Sequence, residues 1–396
     1  MNYSSIKQAI YKEWFLLLVI CVGVSMLWSG YSYYLLILLF PAILIKSHNN
    51  FKVDKLLVYI LGFSVSYIFF LYLNNLTVGP SYTIYCLFYP SIFYLIGKYL
   101  GNKYDKNLIL LFLLIIFVSF EFITLKNILT SFFTGEIIRL DRSIEDITGF
   151  ELSATLYGVI DSVGLAGIPM ILVKTNNKIE SRLKILFFVL GILSLLSVIH
   201  LLNRTGIVIL LADFILLFFL LIKEKKVSFR TFIVSIILIV GVNYWLSSNS
   251  IIRYAYLLRE EESSWRTGGD RTSRWVEAIS CIYKQPWGGG VYEGSVRHYA
   301  HNLWLDVLEM GGIVPFLFLV IGTIKAIKLN IVCVCKGQNK SIFFSNYMVL
   351  LGFTFFLQCF VEPIMEANVI YFCLYTLFWG IISASITKNR KLMIPV

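Results

Sequence analysis

The chain has 396 residues, of which 58% are hydrophobic and only 14% charged, against about 45–50% and about 25% in a soluble domain. A mean hydropathy of +0.79 excludes a soluble enzyme of this length. The formal net charge of +11 would point to nucleic acid in a soluble protein; in a membrane protein it reads as basic cytoplasmic loops, with no nucleic-acid partner.

From the N-terminus onward, apolar blocks of about 15–22 residues, the length that crosses a bilayer as helix, alternate with short polar joints. They predict spans at 14–28, 31–45, 56–73, 82–96, 108–125 and 152–173. The second half adds 183–202, 206–222, 231–246, 312–324, 342–361 and 367–386. The expected fold class is all-α, a polytopic membrane protein forming one integral domain over 1–396 with about 12 transmembrane helices. Two connections are long enough to fold on their own. They are an external loop at 126–151 and a larger, partly helical one at 247–311, between spans nine and ten. Neither an internal repeat nor a cleavable leader is expected.

With the N-terminus inside, every inner connection is basic. Lys7 and Lys12 come first, then Lys46, Lys52 and Lys55, then Lys98, Lys103 and Lys106. Lys174, Lys178, Arg182 and Lys184 follow, then Lys223, Lys225, Lys226 and Arg230. Lys325, Lys328, Lys336 and Lys340 precede the last group, Lys388, Arg390 and Lys391. The positive-inside rule therefore puts both termini in the cytoplasm. That face carries 20 lysines and 3 arginines, whereas the other carries 2 lysines and 9 arginines. Topology needs only positive charge, but arginine adds a planar fork that grips phosphate or carboxylate and never loses its proton. The outer enrichment points to an anionic, phosphorylated substrate. Pairing with Asp141, Glu145, Glu260, Glu261 and Glu262 is the alternative for Arg139, Arg142, Arg253 and Arg259.

Of the seven cysteines only Cys281 falls in an external loop, so no external disulfide framework is expected. His298 and His301 lie three residues apart, on one face of any helix they share. Glu293, Asp306 or Glu309 would supply a third zinc ligand, but the spacing matches no zinc pattern. Neither a metal nor a cofactor is therefore expected. A proton acceptor or hydrogen-bond donor is the reading for histidine here.

Three motifs carry the chemistry. Asn203-Arg204-Thr205-Gly206 lies at the outer joint between spans seven and eight, where an arginine needs a partner or polar cavity, or else snorkels to the interface. Gly268-Gly269-Asp270-Arg271-Thr272-Ser273-Arg274-Trp275 is followed by Pro286-Trp287-Gly288-Gly289-Gly290. Ser273 is placed to cap a short helix bearing Arg274, Ala278 and Ile282. The triple glycine allows a sharp turn and is no P-loop, because no Gly-Lys-Ser/Thr follows. Last, His298-Tyr299-Ala300-His301-Asn302-Leu303-Trp304-Leu305-Asp306 runs into Glu309-Met310-Gly311-Gly312, an amphipathic approach that sets His301 near the bilayer surface.

This order of motifs resembles the O-antigen ligase/polymerase superfamily over roughly residues 190–330. The matching pieces are an arginine with Thr-Gly at an outer span end, Arg274-Trp275 with Ala278, Pro-Trp-Gly-Gly-Gly, and His301-Asn302 leading to Glu309 and Gly311-Gly312. The resemblance implies an inverting, metal-independent glycosyltransferase of the bacterial inner membrane. Its donor would be an undecaprenyl-diphosphate-linked glycan bound on the periplasmic face. Arg204, Arg274 and His301 match the functional Arg, Arg and His. On this basis Arg204, Arg271 and Arg274 are expected to hold the diphosphate. His301 would orient or deprotonate the acceptor hydroxyl, supported by Asn302 and Asp306.

A polymerase, adding the glycan to a lipid-linked repeat unit, is the favoured reading; a ligase, adding it to lipid A core, is the alternative. Membrane lipid and a chain-length regulator protein are the further partners expected. A flippase for lipid-linked oligosaccharide is the rival from another class, with Asp161 and Asp213 as intramembrane acids on an ion or proton path.

Overall fold

A computed structural model describes residues 3–25, 32–47, 53–76, 78–134, 143–144, 151–152, 154–175, 177–201, 203–223, 271–290, 292–293, 296–297, 300–335 and 341–392. Helix α1 (Tyr3–Val24) leads to a segment broken into α2 (Ser32–Leu35), a 3-10 turn (Leu36–Leu38) and α3 (Leu39–Ser47). Then come α4 (Lys55–Leu73), α5 (Pro80–Lys103), α6 (Lys106–Phe120), α7 (Phe122–Thr134), α8 (Ala154–Leu165), α9 (Lys178–His200) and α10 (Arg204–Lys223). The second half supplies α11 (Arg271–Lys284), α12 (Leu303–Gly311), α13 (Ile313–Cys335), α14 (Ile342–Val361), α15 (Ile364–Ala367) and α16 (Val369–Leu392). Strand pairing among the described residues is confined to two antiparallel two-residue ladders. These are β1 (Ser143–Ile144) with β2 (Glu151–Leu152), and β3 (Tyr292–Glu293) with β4 (Val296–Arg297).

The all-helical, membrane-type expectation holds, and the described residues account for about half of the expected spans. Among the described residues six helices are long and apolar enough to cross a bilayer, in α4, α9, α10, α13, α14 and α16, and seven if α6 and α7 count as one bent span. The other expected spans depart for local reasons. Helix α1 carries Lys7, Lys12 and Glu13, and α5 is diluted by five tyrosines with Pro80 and Pro90. Segment 31–45 is interrupted by the 3-10 turn, and 152–173 divides into α8 and a 3-10 turn at Pro169–Leu172. Residues 231–246 lie outside the described residues, as do 247–270 of the large loop and most of 126–151.

The helix ends explain why the chain folds where it does. At the lysine-rich end four helices begin on a polar cap. Asp54 accepts from the amides of Leu56 and Leu57, Asp105 from Leu108, Asn177 from Glu180, and Ser341 from Phe344. The same end is tied by two ionic clusters. Glu13 is bound by Lys46, Lys103, Tyr99 and Tyr104, and Asp54 by Lys98 at 2.7 Å and Tyr94 at 2.7 Å. Burial alone would raise the Asp54 carboxyl, but the bonds from Lys98, Tyr94 and the Leu57 amide outweigh it and hold the group below its ordinary value.

Small residues and polar contacts then set the helix pairs. Helices α5 and α16 run parallel, with Thr376 donating to the Pro90 carbonyl at 2.8 Å. Their backbones nearly touch at Gly97, where a Cβ would stand 2.0 Å from the Leu377 carbonyl oxygen. The antiparallel pairs are α4 with α13 (Gly62 against Phe318), α8 with α9 (Gly164 against Ser194) and α10 with α14 (Thr205 to Glu362, Asp213 to Thr354). Helix α16 is 94% buried within the protein and α14 72%, against 33% for α10 and α13. Helices α14 and α16 therefore form the centre, and α10 and α13 present apolar flanks outward.

Candidate functional site

The end of the bundle opposite the lysine clusters gathers the three sequence motifs. At α10, Asn203 accepts the Gly206 amide at 2.9 Å and so caps the helix. Arg204 is the first helical residue, with its Nε and Nη2 shielded from solvent. Thr205 Oγ1 lies 3.3 Å from Glu362 Oε1.

Glu362 was not among the residues singled out from sequence, and it is the link between motifs. It ends α14, its backbone held extended at φ −135°, ψ 151°, as a residue before proline must be. Pro363 thus stops the helix and turns the glutamate aside. The carboxylate is nearly buried and its Oε2 lies 3.7 Å from His301 Nδ1. One acid therefore bridges the Arg204-Thr205 corner and the histidine.

His301 stands in the left-handed region at φ 53°, where a side chain other than glycine is uncommon and strain often marks function. Asp306 holds it there without touching the imidazole. Its buried carboxylate accepts the amides on either side, Ala300 at 2.7 Å and Asn302 at 3.0 Å. Asn302 caps α12 through the amides of Trp304 and Leu305 and donates to the Phe360 carbonyl at 3.0 Å. Asn302 and Asp306, expected to support His301, thus hold the backbone around it, and the acid beside its ring is Glu362.

Helix α11 reaches the same loop through Trp275. The indole Nε1 donates to the Ala300 carbonyl at 2.7 Å, and the ring packs edge-on against Phe360 with centroids 5.2 Å apart. Arg274 precedes that tryptophan, half-buried with its Nε shielded. Arg271 opens the helix, so Ser273 lies inside the first turn instead of capping it, a correction to the sequence reading. Ala278 and Cys281 form the buried stripe of α11. Burial raises the Cys281 thiol above its ordinary value, with Glu309 and Glu277 adding to it, so this cysteine is no activated nucleophile.

The two glycine motifs prove to be one interlock. Gly289 and Gly290 donate their amides to the Met310 and Glu309 carbonyls at 3.1 and 3.0 Å, satisfying the end of α12. The Ile313 amide bonds the Pro286 carbonyl at 2.9 Å. A Cβ on Gly288, at φ 84°, would come 2.4 Å from the Met310 carbonyl oxygen. Trp287 stacks on Phe70 and its carbonyl accepts from Asn74 at 2.9 Å, fixing the interlock to α4.

Among the described residues no three His, Cys, Asp or Glu side chains gather as a metal site requires. The side chain of Arg271 lies outside the described residues, as do His298, Arg139, Arg142, Arg253, Arg259 and Arg266. Fold and site together define an all-helical membrane protein with a charged, strained centre at one end of its apolar helices. Set against known proteins, the chain matches no family model and no curated protein.

Proposed function

We propose that the chain is a membrane-embedded glycosyltransferase of the O-antigen polymerase kind. It would extend an undecaprenyl-diphosphate-linked glycan on the periplasmic face of a bacterial inner membrane. The observation carrying this reading is the join at Glu362, whose carboxylate meets His301 on one side and Thr205, next to Arg204, on the other. A histidine backed by a buried carboxylate is the arrangement of a general base.

In this reading the acceptor hydroxyl gives its proton to His301, and Glu362 stabilises the imidazolium. The acceptor oxygen bonds to the anomeric carbon from the face opposite the diphosphate. The old carbon–oxygen bond breaks, its electron pair leaves on the diphosphate, and the configuration inverts. Arg204, Arg271 and Arg274 hold that leaving group and offset its growing charge. Twelve crossings with both termini cytoplasmic complete the reading, supported by the agreement of the helix-pair directions with alternating spans.

The test is reconstitution of the purified protein in vesicles with lipid-linked repeat units. Chain growth without added acceptor is the expected result. Growth only onto lipid A core would make the protein a ligase. Movement of the unit across the bilayer without growth would make it a flippase, the reading that the buried Asp161 and Asp213 favour. Arg274→Lys keeps the charge but not the fork, and should lower transfer about tenfold, the loss of one good hydrogen bond; full activity would argue against bidentate gripping.

A further inference from the structure

Three carboxyls that the proposed reaction does not use lie fully buried inside the bundle: Glu121 at the bend between α6 and α7, Asp161 on α8 and Asp213 on α10. Two of them touch hydroxyls that also contact a backbone carbonyl oxygen one turn earlier in their own helix. Ser194 Oγ is 2.6 Å from Glu121 Oε2 and 2.9 Å from the Leu190 carbonyl oxygen. Thr354 Oγ1 is 2.8 Å from Asp213 Oδ2 and 3.0 Å from the Leu350 carbonyl oxygen. A hydroxyl has one proton to give, and both carbonyls and ionised carboxylates only accept. With ionised acids each hydroxyl would face two acceptors with a single proton. With a proton on the acid, the acid donates to the hydroxyl, the hydroxyl donates to the carbonyl, and both contacts are satisfied. The same geometry occurs at two places on different helices.

A second observation points the same way. Tyr347 Oη on α14 is fully buried without a hydrogen-bond partner, and its electrostatic neighbours are Glu121 and Asp213. Asp161 acts electrostatically on Glu121 and lies beside the hydroxyls of Ser197 and Thr124. Thr124, however, donates to the Glu121 carbonyl, and both Asp161 oxygens lack a hydrogen-bond donor. Among the described residues, further titratable groups beside the cluster are Tyr371 on α16, a neighbour of Asp213 that is bonded to Ser162, and Cys359 on α14, a neighbour of Tyr371. His200 stands one turn beyond Ser197 on α9. Among the described residues no lysine, arginine or histidine pairs with any of the three acids. Unpaired carboxylate charge in such an interior is strongly disfavoured.

We propose that Glu121, Asp161 and Asp213, with Tyr347 between them, form a proton-binding site in the interior of the membrane domain. Its ligands are exchangeable protons, one on each carboxyl, and not a metal cation. Tyr347, Thr354 and Gln358 lie on one face of α14 that ends at Glu362, so the protons sit beneath the candidate site on the same helix.

Infrared spectroscopy of the purified full chain in detergent tests this without reference to glycosyl transfer. The carbonyl stretch of a protonated carboxyl lies above the amide band, in a window where carboxylates and amides do not absorb. At about pH 6, roughly two units above ordinary carboxyl values, the wild-type protein should show this band, shifted in heavy water. Glu121→Gln, Asp161→Asn and Asp213→Asn should each remove about a third of it, since each acid contributes one proton. Replacing sodium by choline should leave it unchanged. Absence of the band from the wild-type spectrum would overturn the proposal whether or not any variant folds. So would a band that no substitution reduces, or one that sodium abolishes.

Discussion

Replacing Asp306 by asparagine tests how His301 is held. The carboxylate is 1% exposed and accepts the amides of Ala300 and Asn302 at 2.7 and 3.0 Å, bracketing a histidine at φ 53°. Left-handed backbone costs a residue other than glycine about 1–2 kcal/mol, and each charge-assisted hydrogen bond contributes about 1.5–3 kcal/mol. The pair of bonds therefore outweighs the strain by several fold, and a single one leaves a much smaller margin. Asparagine keeps the size but turns one acceptor into an amide donor that faces a backbone N–H. Losing one bond costs about 2 kcal/mol, roughly a 30-fold rise in local opening. Hydrogen–deuterium exchange should find the Ala300 and Asn302 amides exchanging about 30-fold faster, with α16 unchanged. Unaltered exchange at both amides would refute the clamp. A rise throughout α14 and α16 would mean that Asp306 serves global folding instead.

Two further outcomes follow from the geometry. Gly288→Ala should cost more than about 3 kcal/mol, combining positive φ with a carbonyl clash. Gly289→Ala, strained at φ 121° but with no atom nearer than 3.6 Å to its Cβ, should cost about 1–3 kcal/mol and less than Gly288→Ala; equal melting temperatures by size-exclusion thermal scan would contradict the interlock. The Asp54 carboxyl, held below its ordinary value by Lys98 and Tyr94, adds stability that is complete above that value and lost as pH falls through the lowered one. Thermal stability should therefore drop below about pH 4, and Asp54→Asn should flatten that drop. A variant with the wild-type acid profile would show that the cluster contributes nothing there.

Much of the helical framework was legible because hydrophobic blocks report burial in lipid and protein alike. The apolar run at 342–361 coincides with α14, since Ser341 caps one end and Glu362-Pro363 stops the other. Pattern alone did not reveal the break at 31–45 or the 54° bend at Glu121, because neither a 3-10 turn nor an inward-drawn carboxyl interrupts an apolar count. At the site, His301, Asn302 and Asp306 were legible as a group, but their division of labour was not. Backbone support by Asp306 depends on a positive φ that no residue other than glycine advertises. Glu362 was missed because it lies some 60 residues downstream in a short outer turn. An acid directly before proline at the end of an apolar span was the available signal.

The parallel contact between α5 and α16 bears on the order of events during synthesis. Thr376 and Pro90 are 286 residues apart, and at about 5–20 residues per second the second is made roughly 15–60 s after the first. For that interval α5 must stay in the membrane with the Gly97 face unfilled, because α16, the most buried of the described spans, is made long after it. Chains stalled before residue 369 would thus lack the helix around which the other described helices pack, and should be degraded as readily as ones cut far earlier.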